Sequence, residues 1–494
     1  MKFITKLYQH QINCVNKLKD IKVGALFMEQ GTGKTRTMLE LINIRLEKGR
    51  IDHVIWLCPC SCKENLRRDI IKHTGNDQKG FITICGIETL STSIKWNSSL
   101  IDMSEKHSCY LIVDESSKVK NHKAKRTQNI LRIAEKCKYK CILNGTPITR
   151  NEADLFSQMY LLDWRILGYK GFWSFAANHL EYDEYGNVRK CLNTDYLTEK
   201  IAPYSYQVKK SECLDLPKKT YDIKYFNLSS DQDKHYKEVA DKLLFLVDEF
   251  KPETIYSFLT GLQLVLCGYR VNIVHSKKKY VKKMLNGEHR LIEREGDYII
   301  KERFFSNYKD NPRIQCLENV LEGVTEKCII FCKYSDEITD ICNLLGDKAV
   351  RFDGSLNLKN RQKSIDQFAS DKQFLVANKT CAGYGLNLQF CSYVIFYSND
   401  YDFGTRAQAE DRVYRIGQNK NVNIIDICAS YTLDEKIIDC INRKENLLNS
   451  FKHELETKKD KEELTASYIY KKDYRGKRYS KKMKTLKKED LIEN

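Results

Sequence analysis

The residues with the plainest chemical purpose lie near the start of the chain, in FMEQGTGKT at 27–35. Gly31 and Gly33 permit a tight turn whose successive backbone N–H groups face inward, the geometry that cradles a triphosphate. In such a loop Gln30, Gly31, Thr32 and Gly33 run along the phosphates. Lys34 reaches the β- and γ-phosphates, and the Thr35 hydroxyl coordinates Mg2+. The run follows apolar VGALF and precedes RTMLELINIRL, the strand–loop–helix setting that the chemistry requires. One position departs from G-x-x-x-x-G-K-T, because Met28 stands where its first glycine falls.

Downstream, LIVDESSKVKN at 111–121 ends an apolar strand in two carboxylates. Ligands of open α/β sheets bind at that edge. Asp114 is placed to hold Mg2+ and Glu115 to orient and deprotonate an attacking water. LNGTPITRN at 143–151 brings a hydroxyl to the same edge, although a plain turn explains it equally well. Far beyond, CAGYGLNLQF at 381–390 is a glycine-rich turn, and QAEDRVYRIGQ at 408–418 follows at a helix. Arg412 and Arg415, three apart, can point together into a cleft and neutralise charge on a transferring γ-phosphoryl group. That effect is worth roughly 10³–10⁵ in rate. The alternative for an isolated EDR is surface pairing of the arginines with Glu410 and Asp411.

Elements to carry these groups are legible as short runs rich in Val, Ile and aromatics. HVIWLC, FITIC, YLIVD and CILNG form one set; KCIIFC, AVRFD, FLVAN, YVIFY and VNIIDI form another. Runs apolar on both faces, separated by helix-length stretches, predict parallel sheets covered on both sides. Between them DLFSQMYLLDWRILGY and DQDKHYKEVADKLLFLVDEF have helical spacing, with Asp154 and Asp231 as caps, and EYDEYGNVRK reads as a polar hairpin or loop. The expected architecture is α/β: a first lobe at 1–155, mostly helical insertions at 156–312, a second lobe at 313–445 and a basic tail at 446–494.

With 42% hydrophobic and 30% charged residues, and no apolar run near the ~20 residues of a membrane span, the 494-residue chain reads as a soluble protein. Its first residues lack the pattern of a signal peptide, and the expected location is the cytoplasm. The formal net charge is +17, with ten Lys/Arg and one acid between Lys471 and Lys488. Such a surplus favours polyanions, or else makes a solvated tail. CPCSC at 58–62 resembles a metal-ligand run but has no partner pair at zinc spacing, so no zinc is expected. Cys109, Cys141, Cys328 and Cys332 read as small buried thiols.

Taken in order, LYQHQINCV, GTGKT, DESSKVKN, NGTPITRN, IIFCKYSDE, FDGS, AGYGLNL and QAEDRVYRIGQ resemble the motifs of helicase superfamily two. They are most similar to its Swi/Snf-like branch of DNA-dependent ATPases and translocases, DRVYRIGQ being the most specific piece. KKSECLDLPKKTYDI and TLDEKI look like that branch's connecting segments. The resemblance implies two RecA-like lobes that close on ATP and Mg2+. Gln11 would read adenine, Gln408 would lie on the nucleotide side, and Arg412 and Arg415 would complete the site. Gly385 and Asn387 match the turn that couples ATP to DNA. Ser61 and Lys63, Lys118 to Asn121 and Lys379 to Cys381 are candidate contacts to the backbone of duplex DNA. Three departures stand out: DESS lacks the usual fourth-position histidine, Ala382 replaces a glycine, and NDYDF replaces a Trp-Asn-Pro stretch. The resemblance suggests a minimal motor of phage or bacterial type. Strand separation on DNA or RNA, and an ATP-gated clamp that does not move, are the competing expectations.

Overall fold

The computed structural model describes residues 1–145, 153–182, 188–246, 252–285, 288–378, 386–444 and 447, with the backbone alone at 242–246, 252–258, 273–285, 288–298 and 358. The Gly-Thr-Pro turn from Thr146 onward, the Lys379–Cys381 stretch, Ala382, Gly385 and the basic tail lie outside the described residues. The chain forms two compact units. One comprises Met1–Pro217 with Ala382–Gln389 and Asp411–Asn419; the other comprises Lys218–Cys381, Phe390–Glu410 and Lys420–Asn494.

In the first unit the strands are β1 (Val23–Met28), β2 (His53–Cys58), β3 (Ile82–Gly86), β4 (Cys109–Asp114) and β5 (Tyr139–Asn144). The short strands β6 (Leu180–Tyr182) and β7 (Val188–Cys191) pair antiparallel with each other, the hairpin that the polar sequence suggested. β8 (Ser205–Val208) completes a parallel sheet of order β3-β2-β4-β5-β1-β8. Alternation along the strands supplies two cores. Leu26, Met28, Val54, Trp56 and Ile112 pack on one face with helices α1 (Gln9–Leu18), α2 (Lys34–Glu47) and α3 (Lys63–Thr74). Phe27, Ile55, Leu57, Leu111 and Val113 pack on the other with α4 (Ile94–Lys106), α5 (Lys125–Lys136), α6 (Ala153–Leu162) and α7 (Phe172–His179). This is why those strands read as continuous apolar runs. Helices α8 (Thr194–Ile201) and α9 (Lys210–Cys213) follow before the boundary.

The second unit opens with edge strand β9 (Lys219–Phe226) and helices α10 (Ser230–Leu246) and α11 (Pro252–Leu266). A two-stranded antiparallel ribbon follows, β10 (Tyr269–Leu285) with β11 (Glu288–Arg303). Then come α12 (Pro312–Glu322), β12 (Cys328–Cys332), α13 (Ser335–Leu345), β13 (Ala349–Phe352), α14 (Leu358–Ser370), β14 (Phe374–Asn378), β15 (Tyr393–Phe396), α15 (Phe403–Glu410), β16 (Val422–Ala429) and α16 (Leu433–Asn442). The sheet is parallel in the order β13-β14-β12-β15-β16-β9. Each unit is thus a doubly wound, RecA-like layer structure. Among the described residues no helix is long and apolar enough to cross a membrane.

Sequence and structure part company in the middle region, where β8, β9 and the ribbon are strands that apolar runs did not reveal. β9 is an edge strand whose Tyr221 and Tyr225 stay exposed, and β10 is broken by lysines. The expected caps are also corrected. Ser229 caps α10 by accepting from the Gln232 N–H at 3.2 Å, leaving Asp231 in the first turn. Asp154 lies inside α6, and its carboxylate takes the Lys120 ammonium at 3.2 Å.

One buried ion pair anchors the second unit. Arg313 on α12 is fully buried, pairs with Asp434 on α16, and donates to the Leu266 carbonyl at 3.2 Å and the Ile427 carbonyl at 3.4 Å. Removing one member of such a pair strands the other charge in the core. Arg313→Ala is therefore expected to destabilise the second unit by about 3–5 kcal/mol, read from its urea unfolding transition. An unchanged midpoint would show that Asp434 finds other compensation.

Candidate functional site

The loop after β1 is shaped by two left-handed glycines, with φ +83° at Gly31 and +88° at Gly33. Neither tolerates a side chain. A Cβ on Gly33 would fall 2.1 Å from the Gln11 Nε2, and one on Gly31 would fall 2.6 Å from the Arg415 Cβ. The loop is braced from α1: His10 Nε2 donates to the Thr32 carbonyl at 2.8 Å, and Gln11 Nε2 to the carbonyls of Thr32 and Gly33 at 3.2 and 3.3 Å. The buried Thr32 hydroxyl closes on the Glu29 carbonyl at 2.7 Å. Lys34 opens α2 and donates its ammonium to the Met28 carbonyl at 2.9 Å.

At the end of β4 the Asp114 carboxylate accepts the Glu115 N–H at 2.9 Å, and Glu115 adopts a left-handed backbone with φ +52°. That conformation is strained for a residue other than glycine, and such strain gathers where a side chain must be aimed. The turn beyond is tied to α6, since the buried Ser116 hydroxyl donates to Gln158 Oε1 at 2.6 Å. In DESS, it is thus the third position that links the acids to α6.

Loop and acids face one cavity of about 520 Å3, which is also lined by Thr5 to Tyr8, Gln11, Thr35, Cys62, Asn65, Asp69, Lys72, Asn387, Gln389, Asp411, Arg412 and Arg415. Chain order assigns Arg412 and Arg415 to the second half of the molecule, yet packing groups their segment with the first unit. They do not stand on a helix face as expected. α15 ends at Glu410, and 411–417 is a succession of turns. This turn lies against the loop, with the Ile416 N–H at 3.5 Å from the Gly31 carbonyl. Arg415 donates to the Leu386 carbonyl at 3.2 Å, and the Leu388 N–H donates to the Arg412 carbonyl at 3.0 Å. The preceding acids take other partners. Glu410 pairs with Arg406 at 2.9 Å and Lys219 at 3.0 Å, and Asp411 pairs with Lys210.

The electrostatics of the cavity are unresolved on both sides. Burial holds the Lys34 ammonium below its usual pKa, against the pull of Glu115 and Asp114. Burial, and then the neighbouring Arg412 guanidinium, lower that of Arg415. Burial, with Glu115 next to it, pushes the Asp114 carboxyl up to about 7, and burial also raises Asp69 on α3. Gln30 Oε1 and Arg412 Nε are buried with no hydrogen-bond partner. A bound triphosphate would stabilise the cations, and a divalent cation would stabilise the carboxylates. The glycine cradle, the hydroxyl of Thr35 and the Asp114 carboxylate fit a magnesium nucleotide, whose metal needs only one or two protein ligands. Of the remaining sequence candidates, Gln408 is exposed on α15 in the second unit.

Sequence reasoning missed Lys210. Its amide donates to the Glu29 carboxylate at 2.7 Å, while its buried ammonium pairs with Asp411 and donates to the Tyr414 carbonyl at 3.0 Å. One residue thus fixes the arginine turn beside the glycine loop. Its only sequence signal was membership of the connecting segment KKSECLDLPKK. Asp69, set beside Arg415 and Asn387, was likewise invisible without the fold.

Two parallel RecA-like sheets with a glycine loop facing paired acids define a phosphate-loop nucleotide-binding protein. The pattern of the SNF2-related domain matches residues 2–291, and that of the helicase conserved C-terminal domain matches 312–417. The chain belongs to the SNF2-related family. It is 24% identical to an uncharacterized ATP-dependent helicase of Mycoplasma genitalium, over 90% of this chain and 42% of that protein. It is equally 24% identical to a probable chromatin-remodeling complex ATPase chain of Oryza sativa, over 90% of this chain and 39% of that one. The chain thus spans about two fifths of the length of these relatives. The solved Sulfolobus solfataricus SWI2/SNF2 ATPase core in complex with dsDNA aligns with 95% of this chain and 97% of its own at 22% identity, with a TM-score of 0.40.

If Lys210 acts by holding the arginine turn, its loss and that of Arg415 should not add. Lys210→Met is expected to lower nucleotide turnover at least ~5-fold, and the cycle with Arg415→Ala to show a coupling of about 1–3 kcal/mol. Strict additivity would make Lys210 a packing residue only.

Proposed function

We propose that the chain is an ATP-driven motor that tracks along duplex DNA. The observation that carries this reading is the cavity itself. Three cations and two carboxyls from segments far apart in sequence meet there with their charged forms disfavoured. Family membership and relatives named as helicase and remodelling ATPases support the same assignment.

Lys34 binds the terminal phosphates, and Thr35 with Asp114 would hold Mg2+. When bound, that ion supplies charge neutralisation between the transferring and leaving oxygens. Glu115 orients the attacking water and accepts its proton. Arg412 and Arg415 stabilise the charge that builds as the γ-phosphoryl group departs. Gln11 takes the adenine side, and Gly385 and Gln408 complete the nucleotide contacts from their own segments. DNA would be held mainly through its phosphates, without sequence readout, by a chain with a formal net charge of +17. The expected setting is the cytoplasm of a bacterial or phage-infected cell.

Strand separation remains a second reading because the β10–β11 ribbon has the form of a wedge. Release of a labelled strand from forked DNA separates the two readings.

The decisive measurement is ATP turnover with duplex DNA, single-stranded DNA and RNA in parallel. Duplex is expected to stimulate most, and stimulation by RNA alone would reverse the assignment. In the same assay Arg415→Ala should keep ATP affinity within a few-fold while turnover falls by at least ~10². Unchanged turnover would remove Arg415 from the transition state.

A further inference from the structure

Beyond the acids, the basic segment SSKVKNHKAKR at 116–126 carries five Lys/Arg and no acidic residue. Lys120 is taken by Asp154, while Lys118, Lys123 and Lys125 are exposed. The same turn meets an aromatic cluster on α7. His122 stacks on Phe172, with ring centres 3.9 Å apart and planes 17° apart. Phe172 is fixed in turn by Phe156 at 5.4 Å, so the start of α7 rests on the core. The next residue, Trp173, leaves 66% of its surface in water, and the Lys123 ammonium lies 5.3 Å from the centre of its ring.

An indole held that far out of the core has no role in folding the unit, since exposed apolar surface contributes nothing to burial. Its surroundings select a partner. Burial, and then Lys123, keep the His122 imidazole below its usual pKa, so the charge at this face comes from the lysines. Nearby exposed rings repeat the pairing: Lys170 lies 5.0 Å from the Trp164 ring centre and Lys200 lies 5.3 Å from that of Tyr196. The acids on these elements are engaged, Asp163 with Arg165 and Asp154 with Lys120. Lysines around a free aromatic face are what a nucleic-acid strand requires, because every base offers a ring to stack and every linkage a phosphate to neutralise. Bases inside an intact duplex hide their faces, so only an unpaired base can stack there.

We propose that Trp173 and Lys123 form a nucleic-acid contact outside the nucleotide cavity, where an unpaired base stacks on the indole and the neighbouring lysines hold its phosphates. This rests on the reading that the chain engages nucleic acid and adds which form of it this face takes.

Affinity for DNA carrying a single-stranded tail and for blunt duplex is compared by anisotropy without nucleotide. Trp173→Ala is expected to weaken tailed DNA at least ~5-fold and blunt duplex by less than about two-fold, whereas Trp173→Phe, which keeps an aromatic face, retains most of the affinity. Lys123→Ala should flatten the salt dependence on tailed DNA by about 0.7 in the log–log slope. Quenching of intrinsic fluorescence by tailed DNA should shrink in Trp173→Phe, because the remaining tryptophans are buried or less exposed. Equal affinities for wild type and Trp173→Ala on tailed DNA would overturn the proposal and leave the face to a protein partner. Equal losses on both DNAs would overturn the stacking. A wild-type chain that binds neither DNA would bring down the motor reading as well.

Discussion

The constraint on which the structure depends is the crowding of like charge around one cavity. Lys34, Arg412 and Arg415 are drawn together from opposite ends of the sequence, and their charged forms are disfavoured by burial. A fold keeps such an arrangement only if other contacts over-determine it. Here they do. His10 and Gln11 brace the loop, Lys210 grips the arginine turn, and Ser116 ties the acids to α6. The polar framework is satisfied around its rim and unsatisfied at its centre, which is the signature of a site prepared for a charged ligand.

The parallel sheets explain how so many polar groups converge without unfolding the unit. Both faces of β1, β2 and β4 are covered by helices, and the strands end together at one edge. Apolar residues are used up along the strands, so the polar residues collect beyond their C-terminal ends. Phosphate loop and paired acids are products of the same geometry.

Much of this was legible in the sequence because the relevant signals are local. Glycines before a lysine, acids after an apolar run and helical spacing between strands depend on neighbours a few residues away. Signals set by tertiary packing were not legible. β9 and β10 are partly exposed or lysine-rich strands that lack an apolar run, so composition hid them. Asp154 and Asp231 had the chemistry of caps, but Lys120 claimed one and Ser229 displaced the other. The arginine pair was found by its spacing and misplaced by it. Three apart suggested a helix, whereas the chain leaves α15 at Glu410 and delivers both side chains from turns. Lys210 could be found only from the fold, since its partners lie some 180 and 200 residues away in the chain.

The β10–β11 ribbon carries a separate consequence. Its strands hydrogen-bond only with each other among the described residues, so each has an outer edge of amide groups open to another strand. Such an edge invites pairing between copies of the chain, and self-association through it would rise with concentration. The lysines at 277–279, 282 and 283 oppose this, because two copies aligned along that strand would bring like charges side by side. Neutralising them chemically, or screening them with concentrated salt, would remove that protection and turn a solubility device into a seed for fibrous assembly.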